Sequence, residues 1–96
     1  MLVLVTYDVA VSKLAGQKRL RHVAKTCEKY GIRVQNSVFE CQVDATQYKQ
    51  LQYELLAIMN EKEDSIRFYE LGNNYKTKVK HFGIKETINV DNPLIF

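Results

Sequence analysis

Residues 2–7 form a run of apolar and β-branched side chains with no charge in it, and the run stops at Asp8. Successive residues of a strand point to opposite faces, so a strand that is apolar throughout must be covered on both sides. This predicts a central strand at the N-terminus. It also obliges the rest of the chain to bury Val3 and Val5 on one face and Leu2 and Leu4 on the other. With 96 residues, one Pro and four Gly, there is room for a single domain over 1–96 and little material for a linker. A domain this small has a modest core, often completed by association with another chain.

Helical periodicity comes next. Residues 10–16, with Ser12 and Gly16, read as a loop. From Gln17 to Tyr30 the apolar positions Leu20, Val23, Ala24, Cys27 and Tyr30 recur every three or four residues, which predicts a helix with Gly31 as its C′ residue. Arg33-Val34-Gln35 and residues 38–43 read as two short strands around an Asn36-Ser37 turn, since Phe39, Cys41 and Val43 alternate with Glu40 and Gln42. One long strand over 33–43 is the competing reading. Asp44-Ala45-Thr46-Gln47 has the form of a capping box, opening a second helix to about Asn60 with Tyr48, Leu51, Leu55, Ile58 and Met59 on one face. A strand over 65–71 follows, then a turn at Gly72-Asn73-Asn74 and a further strand over 79–84.

The order is strand, helix, strand, strand, helix, strand, which predicts an α+β, ferredoxin-like βαββαβ sandwich with extra strand in the C-terminal tail. Two helices cover one face of such a sheet. The other face needs a second protomer or a stack of bases; aliphatic side chains dominate the first strand there, which favours a sheet-to-sheet homodimer.

Several classes of function are poorly served by this composition. Cys27 and Cys41 share no metal-ligand spacing and fall within apolar patterns, as reduced core cysteines of a cytoplasmic protein do. No stretch approaches the roughly 18 apolar residues of a membrane span, and the start lacks the basic region and cleavage site of a signal peptide. The balance of 14 Lys and Arg against 11 Asp and Glu is mildly basic. There is no Gly-rich phosphate loop, and neither His22 nor His81 has a partner at ligand spacing.

Two features carry chemistry. Asp8 ends the apolar strand, where rigid backbone holds a carboxylate that still reaches solvent. Hard cations such as Mg²⁺ take oxygen ligands, often one or two carboxylates completed by water and substrate phosphate; the alternative is an Asp that caps the following loop. In a two-fold dimer a second Asp8 could join the first, with a cation between the two charges. The other feature is the stripe Lys18, Arg21, Lys25 and Lys29, flanked by Arg19 and His22, suited to phosphates or simply to water. Tyr7 beside Asp8 packs in the core or supports the site.

The segments 2–9 (Leu-Val-Leu-Val-Thr-Tyr-Asp-Val), 18–25, 34–41 and 64–69 and the closing Pro93-Leu94-Ile95-Phe96 together resemble the small CRISPR-associated endonuclease family, the second of the two universal spacer-acquisition proteins, over essentially the whole chain. The resemblance implies a ferredoxin-like protomer in a symmetric homodimer, with residues 85–96 as a tail pairing with the partner protomer. It implies a divalent metal, Mg²⁺ with Mn²⁺ as the substitute, held by Asp8 of both chains. It also implies cytoplasmic phosphodiester hydrolysis of double-stranded DNA or single-stranded RNA, alongside a scaffold role for the CRISPR integrase subunit, the first universal acquisition protein. Arg19 and Arg21 match the family's basic positions on the first helix, where His22 replaces a further arginine. With Lys18, Lys25 and Arg33 they form the expected nucleic-acid contacts, and Phe39 with Tyr7 the expected site support. A non-catalytic adaptor of the integrase complex and a related ribonuclease toxin are the alternatives.

Overall fold

A computed structural model describes residues 1–74 and 76–83. Its elements are β1 (Leu2–Asp8), α1 (Leu14–Glu28), β2 (Gly31–Gln35), β3 (Val38–Gln42), α2 (Ala45–Ile58) and β4 (Ser65–Gly72). The strands form one sheet in the order β2-β3-β1-β4, with every neighbouring pair antiparallel. This is the split βαβ order expected of a ferredoxin-like sandwich, and β1 is central as its apolar run demands.

The registers sort the side chains. Val3, Val5 and Tyr7 pair across β1 and β3 with Cys41 and Phe39, or across β1 and β4 with Glu70, Phe68 and Ile66. These positions face the helices, where Leu20, Val23, Ala24 and Cys27 of α1 and Leu51 and Leu55 of α2 complete the core. Leu4, Thr6 and Asp8 point the other way, alongside Glu40 and Val38 of β3 and Tyr69, Arg67 and Ser65 of β4. Among the described residues no helix covers this second face. Leu4 and Val38 on it are half-buried, and burial pushes the Glu40 carboxyl up from its ordinary value.

α1 starts at Leu14, three residues earlier than periodicity indicates, and Gly16 lies inside its first turn. A Cβ on Gly16 would sit 1.9 Å from the Ala10 carbonyl oxygen, so the absent side chain lets the turn close against the preceding loop. Gly31 also differs from expectation. It is the first residue of β2, not a left-handed cap: positive φ is confined to Gly72 and Gly83 among the described residues. Its Cβ would meet the Glu40 carbonyl oxygen at 1.9 Å, so close approach of β2 to β3 demands glycine here.

The start of α2 is as the sequence indicates. The Gln47 N–H donates to Asp44 Oδ1 at 2.7 Å, and the Asp44 N–H donates to Gln47 Oε1 at 3.0 Å. Two separate strands flank Asn36-Ser37, in place of one long one. The strand expected over 79–84 is not found in its described part, 79–83. Residues 76–78 turn, with Lys78 Nζ donating to the Leu71 carbonyl at 3.1 Å, and residues 79–83 join no ladder. The tail expected over 85–96 lies outside the described residues. No described helix is long and apolar enough to cross a membrane.

Candidate active site

Asp8 is the last residue of β1, exposed, and opposite Ser65, the first residue of β4. The Tyr7 N–H donates to the Ser37 carbonyl at 2.9 Å, which draws the β2–β3 turn to the same end of the sheet. The result is an open pocket of about 360 Å³ lined by Thr6, Tyr7, Asp8, Ser37, Ser65 and Arg67. Among the described residues no hydrogen bond or ion pair engages the Asp8 carboxylate, so it does not cap the loop that follows.

Behind this pocket lies a buried polar cluster. The Asp64 side chain is fully buried. It accepts hydrogen bonds from the Tyr7 hydroxyl, from Arg19 Nε at 2.7 Å and Nη2 at 3.0 Å, and from the Asn60 N–H at 3.0 Å. Burial alone would raise the Asp64 carboxyl, but the hydrogen bonds from Arg19, Tyr7 and Asn60 outweigh it and hold the pKa down at about 2. Burial, then the hydrogen bond to Asp64, pushes the Tyr7 phenol up to about 12. The cluster is a charged pair with its lone pairs satisfied, the condition under which a buried ion pair is tolerated. It clamps the residue before Asp8 to the residue before Ser65.

The donors around Asp8 fit a hard divalent cation. The lining residues carry one carboxylate and several hydroxyls beside Arg67, with no His or Cys, and such oxygen donors suit Mg²⁺ or Mn²⁺ over softer ions. Among the described residues no three His, Cys, Asp or Glu converge as a metal-holding group. One protomer therefore offers one carboxylate, Asp8, and leaves room for water and a phosphate oxygen.

The expected nucleic-acid contacts divide into two groups. Lys18, Arg21 and Lys25 are exposed along α1, as the stripe indicates. Arg19 differs: its side chain is 19% exposed and is held by Asp64, because its position on α1 turns it toward the sheet end and not along the stripe. Lys29 is engaged by Glu54 at 2.6 Å. Arg33 donates from Nε to the Asn36 carbonyl at 2.8 Å and stacks 5.7 Å over the Phe39 ring, so it closes the β2–β3 turn. Phe39 and Tyr7 are both buried in the core, where the Tyr7 hydroxyl donates to Asp64.

A larger groove of about 510 Å³ runs between α1 and α2, lined by Lys18, Arg19, His22, Tyr53 and Glu54 among others. It shares no residue with the Asp8 pocket and mixes charges of both signs. Sequence reasoning passed over Asp64, Ser37, Ser65 and Arg67 as site residues. A carboxylate within the polar segment 61–64 resembles any solvated loop, and only strand pairing brings the other three to Asp8.

Residues 1–79 match the family model described as CRISPR associated protein Cas2. The chain is 60% identical over 96 residues, the full length of both proteins, to the CRISPR-associated endonuclease Cas2 of Halalkalibacterium halodurans. It is 54% identical over 95 residues, 99% of each chain, to the CRISPR-associated endoribonuclease Cas2 of Chlorobaculum tepidum. Among solved structures, Streptococcus pyogenes Cas2 at pH 6.5 superposes with a TM-score of 0.81 at 55% identity, covering 86% of this chain and all of that one.

Proposed function

The chain belongs to the CRISPR-associated Cas2 family, and from that premise we propose that it is a divalent-metal-dependent endonuclease whose chemistry centres on Asp8. The observation that carries this is the placement of Asp8: an exposed carboxylate, unengaged among the described residues, on the end of the central strand, in a pocket otherwise lined by hydroxyls and one guanidinium. Relatives bearing the names endonuclease and endoribonuclease support hydrolysis of phosphodiesters in DNA or RNA.

The residues present assign themselves roles. Asp8 would hold Mg²⁺ or Mn²⁺. When bound, such a cation supplies Lewis acidity and a more acidic water. Tyr7, Asp64 and Arg19 keep the end of β1 rigid, so that the carboxylate does not wander during turnover. Lys18, Arg21 and Lys25 draw in the polyanion from α1.

The helix-free face of the sheet, with half-buried Leu4 and Val38, is suited to a second copy of the chain. A two-fold axis near the end of β1 would then bring a second Asp8 carboxylate to the site. The family assignment further supports a role in spacer acquisition beside the integrase subunit, in which the dimer serves as a scaffold.

The test is cleavage of duplex DNA and of single-stranded RNA by the purified protein with Mg²⁺, next to Asp8→Ala and a chelator control. Loss in both controls is expected. Cleavage that persists undiminished in Asp8→Ala overturns the assignment, and spacer acquisition that survives Asp8→Ala would leave the non-catalytic adaptor as the working function.

A further inference from the structure

We propose that Arg67 is the phosphate-holding cation of the Asp8 site, a role that rests on the endonuclease function proposed above. Charge balance motivates it. A carboxylate alone repels a phosphodiester, and Thr6, Ser37 and Ser65 are neutral; Arg67 is the only cation among the described residues lining the pocket.

Strand pairing puts it there. Asp8 faces Ser65 and Thr6 faces Arg67 across the β1–β4 ladder, so Asp8 and Arg67 share the helix-free face as diagonal neighbours. Backbone positions in that relation lie roughly 7–8 Å apart, within reach of a long side chain. A phosphate seated over this diagonal lies within reach of the Arg67 side chain.

The guanidinium is held by one neighbouring side chain. Arg67 Nη1 donates to the Tyr69 hydroxyl at 3.1 Å, and the group lies 6.0 Å from the centre of the Tyr69 ring. That contact uses one of five N–H donors and leaves the others for a bidentate grip on phosphate oxygens. Other cations near the site are engaged: Arg19 by Asp64, Arg33 by Asn36. No carboxylate among the described residues forms an ion pair with Arg67.

In this role Arg67 makes no covalent bond and keeps its proton. It binds the non-bridging oxygens of the scissile phosphate and offsets the charge that grows on them as the nucleophile approaches. A preplaced donor of that kind is typically worth 10²–10³ in rate.

The experiment measures steady-state cleavage of a labelled oligonucleotide with Mg²⁺ for wild type, Asp8→Ala, Arg67→Ala, Arg67→Lys and Tyr69→Phe. It also measures affinity for the same oligonucleotide in EDTA. Arg67→Ala is expected to lower kcat/KM by about 100-fold, mostly in kcat, with Arg67→Lys regaining part of it and Tyr69→Phe within a few fold of wild type. In EDTA, Arg67→Ala should weaken binding about tenfold, whereas Asp8→Ala leaves it unchanged or tighter. Abolished cleavage in Asp8→Ala with wild-type rate and affinity in Arg67→Ala overturns the Arg67 role and spares the endonuclease. Undiminished cleavage in Asp8→Ala overturns the endonuclease assignment and this role with it. If the wild type does not cleave, unchanged affinity of Arg67→Ala overturns the phosphate contact. Where Arg67→Ala fails to fold by circular dichroism, Arg67→Gln against Arg67→Lys decides, and equal rates for the two overturn the role.

Discussion

Arg19 grips the buried carboxylate of Asp64 with both arms of its fork, Nε on Oδ2 at 2.7 Å and Nη2 on Oδ1 at 3.0 Å. Asp64 immediately precedes Ser65, which pairs with Asp8. Tyr7, which precedes Asp8, donates to the same carboxylate. One ion pair therefore holds helix α1, the start of β4 and the end of β1 in a common register. The pocket around Asp8 inherits its shape from it.

Breaking that pair is expected to be costly. Arg19→Ala leaves a carboxylate that is 0% exposed without its counter-charge, and loss of one partner of a buried pair typically costs about 3–5 kcal/mol. Arg21→Ala, two residues along on the exposed side of α1, should change stability by about 0.5 kcal/mol or less. Urea unfolding of the two variants at matched protein concentration checks both values. Similar midpoints for the two would remove the clamp from the account.

The same cluster sets the pH limits of stability. Asp64 is held at about 2 against an ordinary 3.8, so the unfolded chain takes up this proton at higher pH than the folded one. Its contribution is complete above pH 3.8 and is lost as pH falls toward 2. Tyr7 acts at the other end: raised from 10.0 to about 12, it contributes fully below pH 10.0 and loses that contribution as pH rises toward 12. Denaturation as a function of pH should show both limbs. Asp64→Asn should flatten the acid one.

Two glycines should fail for different reasons. Gly31→Ala drives a Cβ to within 1.9 Å of the Glu40 carbonyl oxygen and 2.7 Å of the Cys41 Cα, both backbone atoms that move only if the β2–β3 ladder opens. A loss of about 3 kcal/mol is expected. Gly72→Ala meets nothing within 4 Å, but the residue has φ of +76°, and the strain of that conformation costs about 1–2 kcal/mol. Thermal unfolding of the pair separates steric from backbone effects.

Replacing Lys18, Arg21 and Lys25 together by Gln should weaken duplex binding and flatten its salt dependence. Each phosphate contact contributes about 0.9 to the slope of log affinity against log salt, so loss of all three contacts lowers the slope by between two and three, to an order of magnitude. The measurement is affinity across a salt series. An unchanged slope would show that the stripe faces only water.

Much of the architecture is legible in the residue order, and the reason is local. Asp44 and Gln47 announce the start of α2 because both halves of a capping box lie within one turn. Residues 2–7 announce a central strand because an apolar run has only one place to go. Gly31 misleads for a related reason: a glycine after a helical pattern is most often a left-handed cap, and nothing local reveals that the Glu40 backbone passes over it. The strand expected over 79–84 fails in its described part because a suitable composition needs an unpaired neighbour in register, and residues 76–78 turn away first.

The candidate site divides along the same line. Asp8 stands out in sequence by ending a buried strand, and Lys18, Arg21 and Lys25 by helical spacing. Arg19 belongs to the same cluster of cations but not to the same environment, and only the structure shows Asp64 holding it. Arg67 reads as one polar residue of an alternating strand until pairing sets it diagonally from Asp8.

The residue order by itself determined the strand-helix sequence, the apolar faces and the identity of the exposed acid, because these depend on spacing along the chain. Tertiary structure decided which polar groups are brought together: Tyr7 and Arg19 with Asp64 by hydrogen bonds, and Asp8 with Ser65 and Arg67 in the lining of one pocket. Those encounters join residues that are far apart in sequence, and they follow from sheet register, which is set by packing all the elements together and by no single segment of the chain.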